Sequence, residues 1–223
     1  LFRSPVQFFG PKRRHAPPLD LSELPSIDYV LISHNHYDHL DESTVRRLNA
    51  LYPDITWVVP LGVSKWFKRR GIRRVTELTW WEHIEMKPEV SPDLTLRITS
   101  VPTQHFSGRG IFDTNTTLWC GFVVEAFRGE RGDKRLYFVG DTGYNPIDFK
   151  AIGRAFSGMD LSLIPIGTYV PHAFMDPVHI DPVRATAIHT EVGSKLSVGM
   201  HWNTFRLSAE GRNQPPYDLY LKL

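Results

Sequence analysis

Residues 28–39 constrain this chain more than any other stretch. Asp28-Tyr29-Val30-Leu31-Ile32-Ser33 is a short apolar, β-branched run that predicts a buried strand. It runs directly into His34-Asn35-His36-Tyr37-Asp38-His39, four potential metal ligands within six residues. Imidazole and carboxylate are borderline ligands that suit zinc, iron or manganese, and an α/β fold leaves room for a ligand beyond its strand ends. The alternative is a polar loop with several exposed histidines. It is disfavoured because the same strand-end placement recurs along the chain.

The segments that follow alternate in type. Asp41 reads as the cap of a helix with Val45, Leu48 and Leu51 on one face. Ile55 to Val59 reads as a second buried strand, and Leu61 to Arg70 as a helix stopped by Gly71, so the first third is β-α-β-α and implies an α/β layered structure. From Val75 to Glu125 the pattern shifts to short strands, clearest in Leu94-Thr95-Leu96-Arg97-Ile98, with a hairpin turn expected within Arg128 to Asp133. Asn145-Pro146 and Asp181-Pro182 each pair a capping side chain with proline at the first helical position. Their helices are expected to stop at Gly158 and Gly193, with strands at Arg135 to Val139, Asp160 to Ile166 and Lys195 to Met200.

Three of these strands end near a further ligand: His105 after Val101, Asp141 after Val139, and His201 after Met200. Singly, His105 or His201 reads as a structural histidine, and Asp141 beside Gly140 and Gly143 as a turn residue. Their shared position on the sheet argues against coincidence.

At these residues the chain resembles the metallo-β-lactamase superfamily, marked by an H-x-H-x-D-H loop followed by later His, Asp and His ligands. The resemblance implies an α/β four-layer αββα sandwich. It assigns His34, His36 and His105 to one metal, and Asp38, His39 and His201 to a second, with Asp141 bridging. A narrower resemblance rests on Gln104-His105-Phe106, Leu118-Trp119, Gly140-Asp141-Thr142-Gly143-Tyr144, Pro165-Ile166-Gly167-Thr168-Tyr169, Phe174-Met175, His179-Ile180-Asp181-Pro182, Ile188-His189-Thr190 and His201-Trp202-Asn203-Thr204-Phe205. These are similar to the N-acylphosphatidylethanolamine-hydrolysing phospholipase D group and its bacterial relatives. That group implies hydrolysis of a phosphodiester by a hydroxide bridging two divalent ions, zinc by preference and iron or manganese as alternatives. It makes Asp38, Asp141 and His179 the catalytic candidates, with His179 also in contact with substrate.

Arg109, in Ser107-Gly108-Arg109-Gly110, is a second candidate substrate donor, and a surface residue is its alternative reading. The family has strands upstream of the point where this chain begins. With no initial Met, residues 1–223 are expected to form a single metallo-hydrolase domain that is N-terminally incomplete.

Composition narrows the function classes. A formal charge of +2 gives no chain-wide nucleic-acid footprint, which lowers the odds of a nuclease of the same fold. A single cysteine, Cys120, rules out an internal disulfide and favours a reducing, cytoplasmic setting, with a targeting signal upstream of Leu1 as the alternative. No apolar run approaches the ~20 residues that cross a bilayer. Peripheral membrane contact stays open, through the basic run Lys68 to Arg74 and the Trp80-Trp81 pair. A lactonase, a diiron redox protein lacking its flavin partner and a non-catalytic metal-binding protein are the remaining alternatives.

Overall fold

The computed structural model describes residues 10–88, 91–128 and 131–223. The chain divides into two compact units, Leu1–Thr79 with Phe106–Trp119, and Trp80–His105 with Cys120–Leu223.

In the first unit, β1 (Tyr29–Leu31), α1 (Glu42–Leu51), β2 (Thr56–Pro60), α2 (Ser64–Lys68) and β3 (Val75–Leu78) follow one another. The three strands pair in parallel in the order β1-β2-β3. Parallel neighbours need a crossover between them, and α1 and α2 supply it. Asp41 caps α1 as its sequence predicts, with Oδ2 accepting from the Thr44 N–H at 2.9 Å. Val45 and Leu48 are buried, whereas Leu51 is 45% exposed because it ends the helix instead of facing the core. The helix expected over Leu61 to Arg70 is only Ser64–Lys68, and Gly71 beyond it has a φ of +79°. Trp57 and Phe67 lie fully buried with ring centroids 5.1 Å apart. Side chains of this size each contribute roughly 1.5–3 kcal/mol on burial.

The second unit is built on six strands: β4 (His83–Met86), β5 (Leu94–Val101), β6 (Gly121–Arg128), β7 (Arg131–Phe138), β8 (Met159–Pro165) and β9 (Ser194–Met200). Their order is sequential, with antiparallel pairing from β4 to β7 and parallel pairing from β7 to β9. The parallel pairs β7–β8 and β8–β9 are those whose connections carry helices, the crossovers that parallel neighbours need. The turn residues 129 and 130 of the expected hairpin lie outside the described residues, as do 1–9 of the proline-rich lead-in.

Helix α3 (Pro146–Phe156) crosses from β7 to β8, α4 (His172–Met175) and α5 (Pro182–Glu191) lie between β8 and β9, and α6 (Gln214–Tyr220) comes last. Asn145 caps α3 and Asp181 caps α5, each ahead of its proline. Ser157 takes the left-handed conformation that ends α3, one residue before the expected Gly158, which has a positive φ of its own. Phe149, Ile152 and Phe156 of α3 and Ala185 and Ile188 of α5 pack with Tyr137, Val139 and Ile164 in one core.

Candidate metal centre

In the first unit the ligand loop begins where the sheet stops. The Ile32 N–H still donates to Val58 O at 3.0 Å, and the chain then turns, with both His39 and Leu40 N–H groups donating to His36 O. Asp41 starts α1 immediately afterwards. The turn confines four donor side chains to a small volume. His34 Nε2 lies 2.9 Å from His36 Nδ1, His39 Nε2 lies 3.2 Å from Asp38 Oδ2, and the His34 and His39 ring centroids are 4.1 Å apart. His34 is buried, and its Nδ1 meets Ser33 Oγ at 3.0 Å.

In the second unit the donors gather around one carboxylate. Asp141, buried beyond β7, places Oδ2 3.2 Å from His201 Nε2, 3.9 Å from His105 Nε2 and 4.0 Å from His179 Nδ1. His105, Asp141 and His179 each offer a ligand atom within 4.8 Å of the others. His105 Nδ1 is 2.9 Å from the Val178 carbonyl, which only accepts, so that nitrogen carries the proton and Nε2 keeps its lone pair for a metal. Gly143 lets two segments meet: a Cβ there would lie 2.4 Å from Pro177 O and 2.7 Å from Gln104 Nε2. The Gly143 N–H donates to Gln104 O at 2.6 Å, and Gln104 Nε2 to Pro177 O at 2.8 Å, tying together the segments that carry Asp141, His105 and His179.

The donor chemistry fits divalent ions. Ligands bound tetrahedrally at ~2.0–2.1 Å stand roughly 3.3 Å apart. The 3.2 Å separations of His39 from Asp38 and of His201 from Asp141 match that spacing.

Two supporting residues gave no sign in the sequence. Glu210 accepts the N–H groups of Thr168 at 2.6 Å and Val170 at 3.3 Å, and Thr168 Oγ1 stands 3.4 Å from His201 Nδ1. Burial raises the Glu210 carboxyl, but hydrogen bonds from Ser208 and from backbone N–H groups outweigh it and hold the pKa below the usual glutamate value. Asn35, inside the ligand loop, is buried and accepts the Gly108 N–H at 2.8 Å. Only the folded chain brings such distant positions together.

Arg109, the expected substrate donor, donates from its Nη1 to the carbonyls of Asn35 at 2.8 Å and Leu40 at 2.7 Å. In the basic run, Arg70 pairs with Glu42 at 2.6 Å and Arg74 with Asp54 at 2.5 Å. Trp80 and Trp81 are 36% and 45% exposed.

Parallel and mixed sheets carrying imidazole and carboxylate clusters beyond their strand ends define an α/β protein able to hold metal ions. Residues 4–202 match the model of the Beta-lactamase superfamily domain, and the chain belongs to that superfamily. It is 42% identical over 218 residues to N-acyl-phosphatidylethanolamine-hydrolyzing phospholipase D 1 of Caenorhabditis elegans, covering 96% of this chain and 59% of that one. A metal-dependent hydrolase of Alkaliphilus metalliredigens is 31% identical over 182 residues, covering 80% of this chain and 69% of its own length. The metallo-β-lactamase fold protein YhfI of Bacillus subtilis superposes with a TM-score of 0.53 at 15% identity, over 86% of this chain and 69% of that one. The fold is therefore the metallo-β-lactamase fold expected from the motif, in a family of metal-dependent hydrolases. The chain spans about half the length of the first curated relatives it matches.

Proposed function

We propose that residues 1–223 form one hydrolase domain that cleaves a lipid phosphodiester in the manner of a phospholipase D, using two divalent ions. The observation that carries this reading is His179, 4.0 Å from Asp141, in a chain 42% identical to a phospholipase D. His34, His36 and His105 would hold one ion and Asp38, His39 and His201 the other, with Asp141 shared. Zinc is the preferred metal, and the same donors accept iron or manganese. Such a pair supplies Lewis acidity and brings the pKa of a water toward neutrality.

The chain's own groups supply position and protons. Asp38 and Asp141 place carboxylates among the imidazoles and fix their spacing. His179 is set by its N–H, which donates to Met175 O at 2.8 Å, and it stands two residues before the Asp181 cap of α5. A helix N-terminus favours a phosphate, and an imidazole there is placed to hold or pass a proton at the leaving oxygen. Among the described residues no helix is long and apolar enough to cross a membrane. Contact with the lipid is accordingly proposed to be peripheral, and the buried thiol Cys120 is compatible with a cytoplasmic setting.

The test compares hydrolysis of a phosphodiester and a lactone by wild type and His179→Ala. Phosphodiester turnover is expected to fall by roughly 10²–10⁴-fold with metal content unchanged. Efficient lactone turnover indifferent to His179, with no phosphodiester activity, would replace this reading with a lactonase.

A further inference from the structure

Arg109 belongs to a loop braced by its own side chains. Ser107 Oγ donates to Thr117 O at 2.7 Å, and the Asn115 N–H donates to Ser107 O at 2.8 Å. Asp113 gathers the backbone N–H groups of Arg109 at 2.9 Å and Gly110 at 2.7 Å. Hydrogen bonds of this kind, that from Arg109 foremost, keep the Asp113 carboxyl below its ordinary pKa, so it stays an acceptor. The backbone around Arg109 is therefore set by short-range contacts, and its side chain is aimed from a fixed base.

That side chain reaches across the ligand loop. Nη1 donates to Asn35 O and Leu40 O, the carbonyls on either side of the stretch His36-Tyr37-Asp38-His39. The guanidinium carbon lies 4.0 Å from the centroid of the Tyr37 ring, and the Tyr37 hydroxyl donates back to Arg109 O. Asn35 Oδ1 accepts from Gly108 N–H, adding a tie from the neighbouring residue. A planar cation spanning two carbonyls and stacked on an aromatic face is a task for arginine, whose donors are fixed in one plane, and not for lysine.

We propose that Arg109 is a positioning residue that sets the metal-ligand loop: it fixes the separation of Asn35 O and Leu40 O and thereby pre-forms the geometry of His36, Asp38 and His39. It acts through the ligands, by way of the two carbonyls that its Nη1 holds. The proposal rests on the reading of this loop as part of a metal centre, and the experiment separates the two.

The full chain is stripped with a chelator and titrated with zinc against a competing chromophoric chelator, alongside far-UV circular dichroism and Tm. Arg109→Met is expected to lower zinc affinity by 10–100-fold, the range seen when groups that orient metal ligands are removed. Arg109→Lys recovers only part of that loss. Val45→Ala, which destabilises the buried face of α1 and removes none of the groups that bond Arg109, keeps wild-type affinity in the folded protein. Where Arg109→Met fails to fold, Tyr37→Phe carries the test, with a several-fold loss of affinity expected on losing one tie. Wild-type zinc affinity in the folded Arg109 variants, or in Tyr37→Phe when it carries the test, overturns the proposal, as does an equal loss in Val45→Ala. Failure of the wild-type chain to bind zinc, iron or manganese would instead overturn the metal reading and leave Arg109 as a structural brace.

Discussion

In the first unit the donors His34, His36, Asp38 and His39 come from six consecutive residues at the end of one strand; in the second, the donors His105, Asp141 and His201, with His179 beside Asp141, are spread over almost a hundred positions. The first group needs one turn, closed by two N–H groups on His36 O and by the Asp41 cap that starts α1. The second needs the register of a six-stranded sheet, the parallel alignment of β7, β8 and β9, and a close approach at Gly143. A local cluster is protected by short-range contacts and an assembled one by the whole core, so they should fail differently when perturbed.

The largest effect is expected at the centre of the assembled cluster. Asp141→Ala removes the carboxylate that faces His201, His105 and His179, and should weaken binding of at least one ion by about 100-fold or more, beyond the 10–100-fold typical of indirect changes. Elemental analysis and competition titration read this directly. Retention of two ions per chain at wild-type affinity would show that the assembled cluster is dispensable.

A smaller effect is expected from the close approach itself. In Gly143→Ala the new methyl would press on the Pro177 carbonyl, costing about 1–3 kcal/mol, or about 2–4 °C of Tm per kcal/mol in a chain of this size. Gly110→Ala in the first unit meets nothing nearer than Asp113 Oδ1 at 3.6 Å and should leave Tm almost unchanged. Equal Tm shifts for the two would erase the contrast between the regions.

The smallest effect concerns acid sensitivity beside the local loop. Glu42, in the first turn of α1, is held at a pKa of about 2, foremost by the hydrogen bond from Arg70 and against the opposing effect of burial. A depressed carboxylate stabilises the fold above its unfolded value of 4.5, and that contribution drains away as pH falls toward about 2. The Glu42 side chain is 39% exposed, so solvent screening limits the contribution to roughly 0–1 kcal/mol. The Tm difference between wild type and Glu42→Gln should be present at pH 7 and shrink by pH 3; a difference that grows on acidification would reverse the assigned sign.

What was legible in the sequence follows the same division. The strand before His34, the caps Asp41, Asn145 and Asp181, and the strands leading to Asp141 and His201 depend on contacts a few residues apart, which composition and spacing record. The donor density of His34 to His39, with the recurring strand-end placement of His105, Asp141 and His201, pointed to residues able to hold metal ions, and the motif pointed to the metallo-β-lactamase fold. Leu51 was misplaced because a helix end, set by the chain's departure at Tyr52, overrides periodicity. The work of Arg109, Asn35 and Glu210 was decided only by tertiary structure: each makes its decisive hydrogen bonds to residues tens of positions away. A donor's type is written in the sequence, but its partner is fixed by where the folded backbone places a carbonyl or an N–H, and no local pattern carries that distance.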